Sequence, residues 1–308
     1  MPVAEGGGSK WRVWIAFAAI YLIWGSTYFF IREALDGFTP MLLGGSRFMA
    51  AGLLLLGWCA ARGMAVRPGR ELKRAAIMGF SLLMIGNGAV VWAEQVLPSG
   101  VVAIMVAIVP LWVVVLDRPA WAASFSGPGT ILGVLAGFAG VLVLFSDRMG
   151  IGGGGAPSEL MGLGLLVFST FSWAAGSLYG KYHPGTVPSA VSTGWQMLLG
   201  GCFMLLGGTL RGEWSAMEWD AIPVHAWYAL SYLVVFGSII AFSAYVWLLT
   251  VCSATQVSTY AYVNPVVAVL LGAWLAHERI SAREIIGLGV ILGSVLLINL
   301  AKYRKARG

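Results

Sequence analysis

Ten separate stretches of this 308-residue chain are apolar over about the length that crosses a bilayer. A membrane-spanning helix needs about 20 apolar residues to cross ~30 Å of hydrocarbon, because its backbone polar groups must all be satisfied within the segment. The stretches lie at residues 13–31, 41–61, 75–96, 98–116, 129–146, 160–181, 188–210, 225–249, 253–276 and 285–301. The sequence therefore predicts an all-α integral membrane protein with ten transmembrane helices.

The low content of charged residues excludes an ordinary soluble protein. Only 10% of the residues are charged and 59% are hydrophobic, whereas soluble domains carry about 25% charged residues. The net charge of +6 does not indicate nucleic acid, because the basic residues lie between the apolar stretches and at the chain ends, as they do beside anionic lipids. The expected partners are the lipid bilayer and a small-molecule substrate, and the oligomeric state stays open.

The sequence contains no pattern for a metal or a cofactor. Cys59, Cys202 and Cys252 fall inside apolar stretches and lack the paired spacing of metal ligands. The three histidines are far apart and close to loops, without an acid or a nucleophile clustered beside them. We therefore expect no cofactor and no enzymatic activity.

The positions of lysine and arginine predict the orientation in the membrane. With the N-terminus inside, thirteen of the 19 basic residues lie on the inner side and five on the outer side. Basic residues are retained in the cytoplasm during insertion. We expect both termini to be cytoplasmic in a multi-pass protein of a bacterial inner membrane, with no cleaved signal peptide.

A glycine-rich linker at residues 147–158 divides the chain into two halves, residues 1–146 and 159–308, and the second half ends in a basic tail. Short sequence segments of the first half recur in the second half at an offset of about 150 residues. The corresponding positions are Gly25-Ser26-Thr27-Tyr28 with Gly176-Ser177-Leu178-Tyr179, Val91-Trp92 with Val246-Trp247, and Pro110 with Pro265. The sequence therefore predicts an internal repeat of five helices.

A repeat of five helices has a consequence for topology. An odd number of crossings means that the second copy enters the membrane with opposite polarity, which gives two inverted repeats around a central cavity. Such repeats are typical of transporters, because similar units that face opposite ways can expose one site alternately to either side. Pro110 and Pro265 are predicted to kink their helices near the midplane, although membrane helices also simply tolerate proline.

Six short motifs occur in order along the chain. They are Trp24-Gly25-Ser26-Thr27-Tyr28, Arg47-Phe48, Trp92-Ala93-Glu94-Gln95, Pro98-Ser99-Gly100, Asn264-Pro265 and Glu278-Arg279-Ile280. In this order the sequence resembles the drug/metabolite transporter superfamily in its ten-helix form, which consists of two EamA-type repeats. The resemblance implies an inner-membrane exporter of metabolites, and within the superfamily the chain is similar to amino-acid exporters of the YddG type.

Two charged residues lie inside predicted membrane helices, where an unpaired charge is costly. Arg47 lies about six residues into the second stretch, and Glu94 lies near the outer end of the third. Both are therefore expected at a similar outer depth. We predict that they form an outer ion pair that fastens two helices, or that they line the outer vestibule as a gate in contact with substrate or protons.

Helical spacing places aromatic and polar residues on shared faces around the expected cavity. The candidate substrate-binding residues are Trp24, Tyr28, Asn87, Glu94, Trp173, Ser177, Ser243, Tyr260 and Asn264. Aromatic walls suit apolar side chains, and a few hydroxyl and amide groups suit the ammonium and carboxylate of a zwitterion. Ordinary helix packing and interhelical hydrogen bonds would also explain these residues.

These observations favour a secondary transporter that exports small neutral metabolites, above all amino acids including aromatic ones, by alternating access. The alternative is a multidrug or lipophilic-cation efflux transporter, because aromatic faces and a buried acid also attract cations. A single buried arginine disfavours sugar phosphates and nucleotides as substrates. The sequence has no ATP-binding fingerprint, so the substrate gradient or a proton gradient would drive transport.

Overall fold

The computed structural model describes residues 7–125, 128–148, 156–275 and 281–305, and within these ranges the chain is helical, with no strand. The long helices are α1 (Gly7–Leu35), α2 (Pro40–Ala61), α3 (Glu71–Ala93), α4 (Ser99–Leu116), α5 (Pro128–Arg148), α6 (Pro157–Tyr182), α7 (Ser189–Leu210), α8 (Val224–Val251), α9 (Ala254–Leu275) and α10 (Ala282–Lys305). Short helical turns lie in the connections at Arg118–Ala120, Trp121–Ser124, Glu213–Ala216 and Trp219–Ala221.

Eight of these helices, α1 to α4 and α6 to α9, are long and apolar enough to cross a membrane. In α5 and α10 the described apolar stretches are shorter, Pro128–Val143 and Glu284–Ser294. The chain is thus an all-helical protein with eight candidate membrane spans in its described part, and crossing by α5 and α10 stays a prediction. Most of the linker at residues 147–158 and the motif Glu278-Arg279-Ile280 lie outside the described residues.

Proline marks the start of six of the long helices. Pro40, Pro128 and Pro157 are the first residues of α2, α5 and α6. Three further prolines directly precede α4, α7 and α8, at positions 98, 188 and 223. Proline fits here because its fixed φ suits the first turn, where its missing N–H has no partner within the helix. The same residue type therefore sets where successive helices begin.

The third helix of each half contains a wide π-helical segment. The segment covers Gly79–Asn87 in α3 and Leu233–Phe242 in α8. In α3, backbone carbonyl oxygens of this segment accept hydrogen bonds from the other half of the chain. The Oγ atoms of Ser169 and Ser172 in α6 donate to the carbonyl oxygens of Gly86 and Ser81, at 2.6 and 2.9 Å. Such wide turns are often found at functional sites.

The fourth helix of each half is also interrupted. A turn at residues 107–108 divides α4, and Pro110 follows it in the first turn of the resumed helix, Val109–Leu116. A turn at residues 258–259 divides α9, and Pro265 lies inside the following segment, Tyr260–Leu275. Both prolines therefore follow a break in their helix, and their function as kinks stays a prediction.

Glycine allows α2 and α7 to pack closely together. A Cβ added at Gly52 would lie 2.6 Å from the Leu198 backbone nitrogen, and one added at Gly201 would lie 2.6 Å from the Met49 nitrogen. Small residues let membrane helices pack backbone against backbone. α5 also packs against α10, so the two halves meet along equivalent helices.

Apolar side chains cover much of the outer surface, while several charged and amide side chains lie inside. Leu210 and Trp274 are 81% and 77% exposed, whereas Arg47, Glu94 and Asn264 are each at most 3% exposed. This distribution of apolar and charged side chains is the reverse of that in a water-soluble protein, and it fits a lipid environment.

Candidate functional site

A cavity of about 60 Å³ lies at the centre of the helix bundle. Helices α1, α2, α3, α4, α6, α8 and α9 all contribute to its wall. The lining includes Trp24, Thr27, Tyr28, Ile31, Arg47, Phe48, Leu83, Gly86, Asn87, Val90, Val106, Val109, Ser169, Thr170, Trp173, Gly237, Phe242, Tyr260 and Asn264. A space of this size has room for a few water molecules, so a larger solute requires the wall residues to move apart.

Four aromatic rings form a cluster at one end of this cavity. The Trp24 ring centroid lies 4.9 Å from that of Tyr260, 5.0 Å from that of Tyr245 and 5.6 Å from that of Trp173. Edge-to-face and tilted contacts of this kind stabilise a pair by about 0.5–1.5 kcal/mol beyond burial. The helices that supply these rings, α1, α6, α8 and α9, are therefore held together at this level.

The Tyr245 hydroxyl connects the aromatic cluster by hydrogen bonds. It accepts from Trp173 Nε1 at 3.0 Å and also bonds the hydroxyl of Ser177. Tyr245 was not among the predicted site residues. Its three-residue spacing from Phe242 is the sequence signal that places both rings on one face of α8.

Tyr245 and Ser177 lie between the cavity and a second opening. Along α6, Trp173 lines the cavity and Gly180 lines a vestibule; along α8, Phe242 lines the cavity and Val246 lines the same vestibule. Arg74 and Lys181 give that vestibule a basic wall. The hydrogen-bonded residues thus lie between the two spaces along both helices.

Arg47 is a buried cation in the cavity wall. Its Nε donates to Ser238 Oγ at 2.8 Å, and its guanidinium carbon lies 4.8 Å from the centroid of the Phe48 ring. Its Nη1 is buried without a hydrogen-bond partner. This cavity-lining residue therefore has an unsatisfied hydrogen-bond donor.

Three predicted amide and phenol side chains also reach the cavity. Tyr28, Asn87 and Asn264 line it, and the Asn264 amide nitrogen can donate to the Tyr21 and Tyr260 carbonyl oxygens, each at 3.1 Å, when the amide is turned toward them. The Oδ1 atom of Asn87 is buried without a donor. Asn264 is thus held by the helices around it, whereas Asn87 keeps an open acceptor.

Glu94 is fully buried at the end of α3, outside the cavity lining. Its carbonyl oxygen accepts from Arg32 Nη1 at 2.7 Å. Its carboxylate interacts electrostatically with Arg47 and with Tyr28. The ion pair or gate of Arg47 and Glu94 therefore stays a prediction, although the two side chains are close enough to interact electrostatically.

The predicted site residues fall into two groups. The structure brings together seven of them in the cavity lining, namely Trp24, Tyr28, Arg47, Asn87, Trp173, Tyr260 and Asn264. Glu94, Ser177 and Ser243 do not belong to that lining, and substrate contact stays a prediction for all ten residues. Ser243 Oγ is buried without a partner.

A polar network that sequence reasoning missed joins α3 to α7 beside the vestibule. The Glu71 carboxylate accepts from Arg74 Nη1 at 2.6 Å, from Ser192 Oγ at 2.6 Å and from the Thr186 backbone N–H at 3.0 Å. Glu71 is only 1% exposed. A buried carboxylate needs such partners to offset its desolvation.

A different contact joins the segment between α1 and α2 to the start of α8. His225 Nε2 lies 3.2 Å from Asp36 Oδ2, and both side chains are about half exposed. The Phe38 and Trp227 rings meet edge to face with centroids 4.9 Å apart. The segment between α1 and α2 thus contacts the start of α8 through an exposed pair and aromatic packing, whereas the segment between α6 and α7 contacts the start of α3 through a buried ionic network.

Comparison with known proteins gives consistent matches over nearly the whole chain. The model of the EamA-like transporter family matches residues 10–146 and again residues 160–300. The uncharacterized inner membrane transporter YedA of Escherichia coli K12 is 40% identical over 94% of this chain and 90% of its own length. The uncharacterized transporter YvbV of Bacillus subtilis is 25% identical over 96% of this chain and 95% of its own length.

A solved crystal structure supports the fold independently. It matches 95% of this chain and 98% of its own chain with a TM-score of 0.66 at 20% identity. At that level of identity the likeness shows a shared fold alone.

Proposed function

Since the chain belongs to the EamA-like transporter family, we propose that it is a secondary transporter that exports small neutral metabolites, above all amino acids including aromatic ones. The family and the relatives named as transporters make it a membrane transporter rather than an enzyme. The name of the Escherichia coli relative, together with the apolar helices, supports a multi-pass protein of the inner membrane. The count of lysines and arginines supports cytoplasmic termini.

The pairing of helices supports the proposed inverted repeats. α1 packs against α8 and α9, just as α6 packs against α3 and α4, while α2 packs against α7 and α5 against α10. Exchanging each helix with its counterpart five positions along the chain leaves this set of contacts unchanged. A twofold axis in the membrane plane produces that relation between units of five helices.

The same symmetry gives a mechanism for alternating access. The aromatic cluster and the Tyr245 bonds separate the cavity from the vestibule beside the Glu71 network. On the other side, the halves meet through Asp36 with His225 and Phe38 with Trp227. We propose that these two closures open in turn, so that the central solute is exposed to one side at a time.

The observation that carries this proposal is the cavity itself, because seven residues chosen from the sequence as site candidates line it together. Its aromatic wall suits an apolar side chain, and its amide and guanidinium groups suit the polar end of an amino acid. A purely structural bundle would fill this space with packed side chains.

Transport by the purified chain in proteoliposomes tests the proposal. We expect saturable counterflow of labelled phenylalanine and leucine, which Trp173→Ala reduces at least tenfold. Trp274→Ala is the matched control, since Trp274 is 77% exposed and should transport as the parent does. Absence of counterflow for every amino acid tested would contradict the proposed substrate class.

The second candidate is efflux of lipophilic cations, which the aromatic wall favours. Labelled tetraphenylphosphonium in the same proteoliposomes, with and without a pH gradient, separates the two functions. Transport of the cation without transport of amino acids would support efflux. A rate that follows the pH gradient would identify protons as the coupling ion.

A further inference from the structure

The Arg47 guanidinium carries an unmet hydrogen-bond donor inside the protein. Arg47 is 3% exposed and its Nη1 has no acceptor, although Ser238 satisfies its Nε. A buried donor of a charged group that lacks an acceptor destabilises a protein, so such a group is commonly retained for a ligand. The acceptor that matches a guanidinium in both charge and geometry is a carboxylate.

The surroundings hold this guanidinium in place. Gly237 belongs to the wide turn of α8, and a Cβ added there would lie 2.7 Å from Arg47 Nη2. Ser238, the next residue, fixes the Nε atom, and the Phe48 ring packs against the guanidinium. Arg47 is therefore positioned by a glycine, a hydroxyl and a ring, which leaves Nη1 for the solute.

A second unmet group lines the same cavity. Asn87 Oδ1 on α3 is buried and has no donor. A carbonyl oxygen of this kind accepts a hydrogen bond from an ammonium group and offers nothing to a carboxylate. The cavity thus presents one unmet cationic donor and one unmet neutral acceptor beside the rings of Trp24, Trp173 and Tyr260.

We propose that Arg47 Nη1 binds the carboxylate of the transported solute and that Asn87 Oδ1 accepts from its ammonium group, which assigns the site to zwitterions with an apolar or aromatic side chain. This inference rests on the proposed transport function and adds the recognition chemistry. It also disfavours lipophilic cations, because the Arg47 charge repels them at the wall they would have to contact.

Four probes that share a phenylethyl skeleton and differ in their charged groups separate the two contacts. Phenylalanine has both charged groups, 3-phenylpropionate has only the carboxylate, phenylethylamine has only the ammonium, and phenylalaninamide has the ammonium with a neutral amide. Binding is measured by calorimetry on the full-length chain in lipid nanodiscs. We expect the parent protein to bind phenylalanine at least tenfold more tightly than phenylethylamine or phenylalaninamide.

Substitutions then assign each contact. Arg47→Gln is expected to weaken phenylalanine and 3-phenylpropionate at least tenfold and not to weaken phenylethylamine, whose ammonium no longer meets the repelling charge. Asn87→Leu is expected to weaken phenylalanine and phenylethylamine and to spare 3-phenylpropionate. Arg211→Gln is the control, because Arg211 is exposed and contacts Glu213 only at 3.9 Å. If Arg47→Gln does not fold, Gly237→Ala displaces the guanidinium with Arg47 intact and should give the same loss for carboxylates.

The outcomes distinguish this inference from the function on which it rests. Equal weakening of all four probes, or an unchanged preference for carboxylates, in the Arg47 and Gly237 variants would overturn the carboxylate contact even where amino acids are transported. Binding of 3-phenylpropionate that depends on Arg47, without any amino-acid transport, would support the contact and reject amino acids as the substrate class.

Discussion

Trp24 in α1 and Gly237 in α8 are joined by a hydrogen bond of 3.1 Å from the indole Nε1 to the backbone carbonyl oxygen. The two residues lie in regions that the family model matches separately. The carbonyl belongs to the wide turn of α8, and Trp24 also contacts three rings of the aromatic cluster. This bond therefore links the two halves of the chain at the wall of the cavity.

Replacing Trp24 by phenylalanine removes this bond and keeps a ring in place. We expect the free energy of unfolding to fall by about 1–3 kcal/mol, because a buried carbonyl loses its donor. Thermal unfolding in nanodiscs measures the change. Trp14→Phe is the control, since Trp14 is 67% exposed, and equal effects of the two substitutions would contradict the importance of this bond.

Replacing Tyr245 by phenylalanine tests the closure between the cavity and the vestibule. The change removes the bonds to Trp173 and Ser177 and keeps the ring contacts. We expect faster labelling of a cysteine at position 27, in the cavity, by an impermeant maleimide applied from the vestibule side. The native cysteines are first replaced by alanine.

The control for Tyr245 is Tyr228→Phe, since Tyr228 is 73% exposed on the same helix. Labelling of the Thr27→Cys protein should be unchanged in this variant. Labelling that is equally slow in the Tyr245 variant would show that its hydroxyl does not hold the closure.

A leucine at Gly52 is expected to separate α2 from α7. The added side chain would meet the backbone of Leu198 within 3 Å, and backbone cannot move aside as a flexible side chain does. Overpacking of this kind costs about 1–3 kcal/mol or more. Gly57→Leu on the same helix is the matched control because nothing lies within 4 Å of its Cβ position. Equal melting temperatures for the two variants would contradict the close contact.

Replacing Glu71 by glutamine tests the network beside the vestibule. The neutral side chain leaves Arg74 without its ionic partner, so we expect the free energy of unfolding to fall by about 1–3 kcal/mol. Glu218→Gln provides the comparison at an exposed glutamate. A Glu71 variant as stable as the Glu218 variant would mean that the network contributes little.

Helix positions could be predicted from the sequence because hydropathy reports them directly. The third stretch, predicted at residues 75–96, is the helix Glu71–Ala93, and the seventh, predicted at 188–210, is Ser189–Leu210. Helical spacing was enough to predict cavity residues such as Trp24 and Tyr28, because it shows which residues share one face of a single helix.

Other features could not be predicted because they depend on partners far along the chain. Glu71 contacts Thr186 and Ser192, which are more than 100 residues away, and in the sequence it lies in a loop-like run of charges. The wide turns of α3 and α8 consist mostly of apolar residues and glycine, as the rest of these helices do, so composition does not reveal them. Tyr245 was missed for the same reason, since its partners Trp173 and Ser177 lie on α6.

The most direct test of alternating access labels Thr27→Cys in the cavity from each face of the membrane in turn. The experiment uses sealed right-side-out and inverted vesicles, the three native cysteines replaced by alanine, and an impermeant maleimide. We predict labelling from both faces, slowed from both by saturating phenylalanine. Labelling from one face only, or labelling that the amino acid leaves unchanged, would contradict a central cavity that serves both sides.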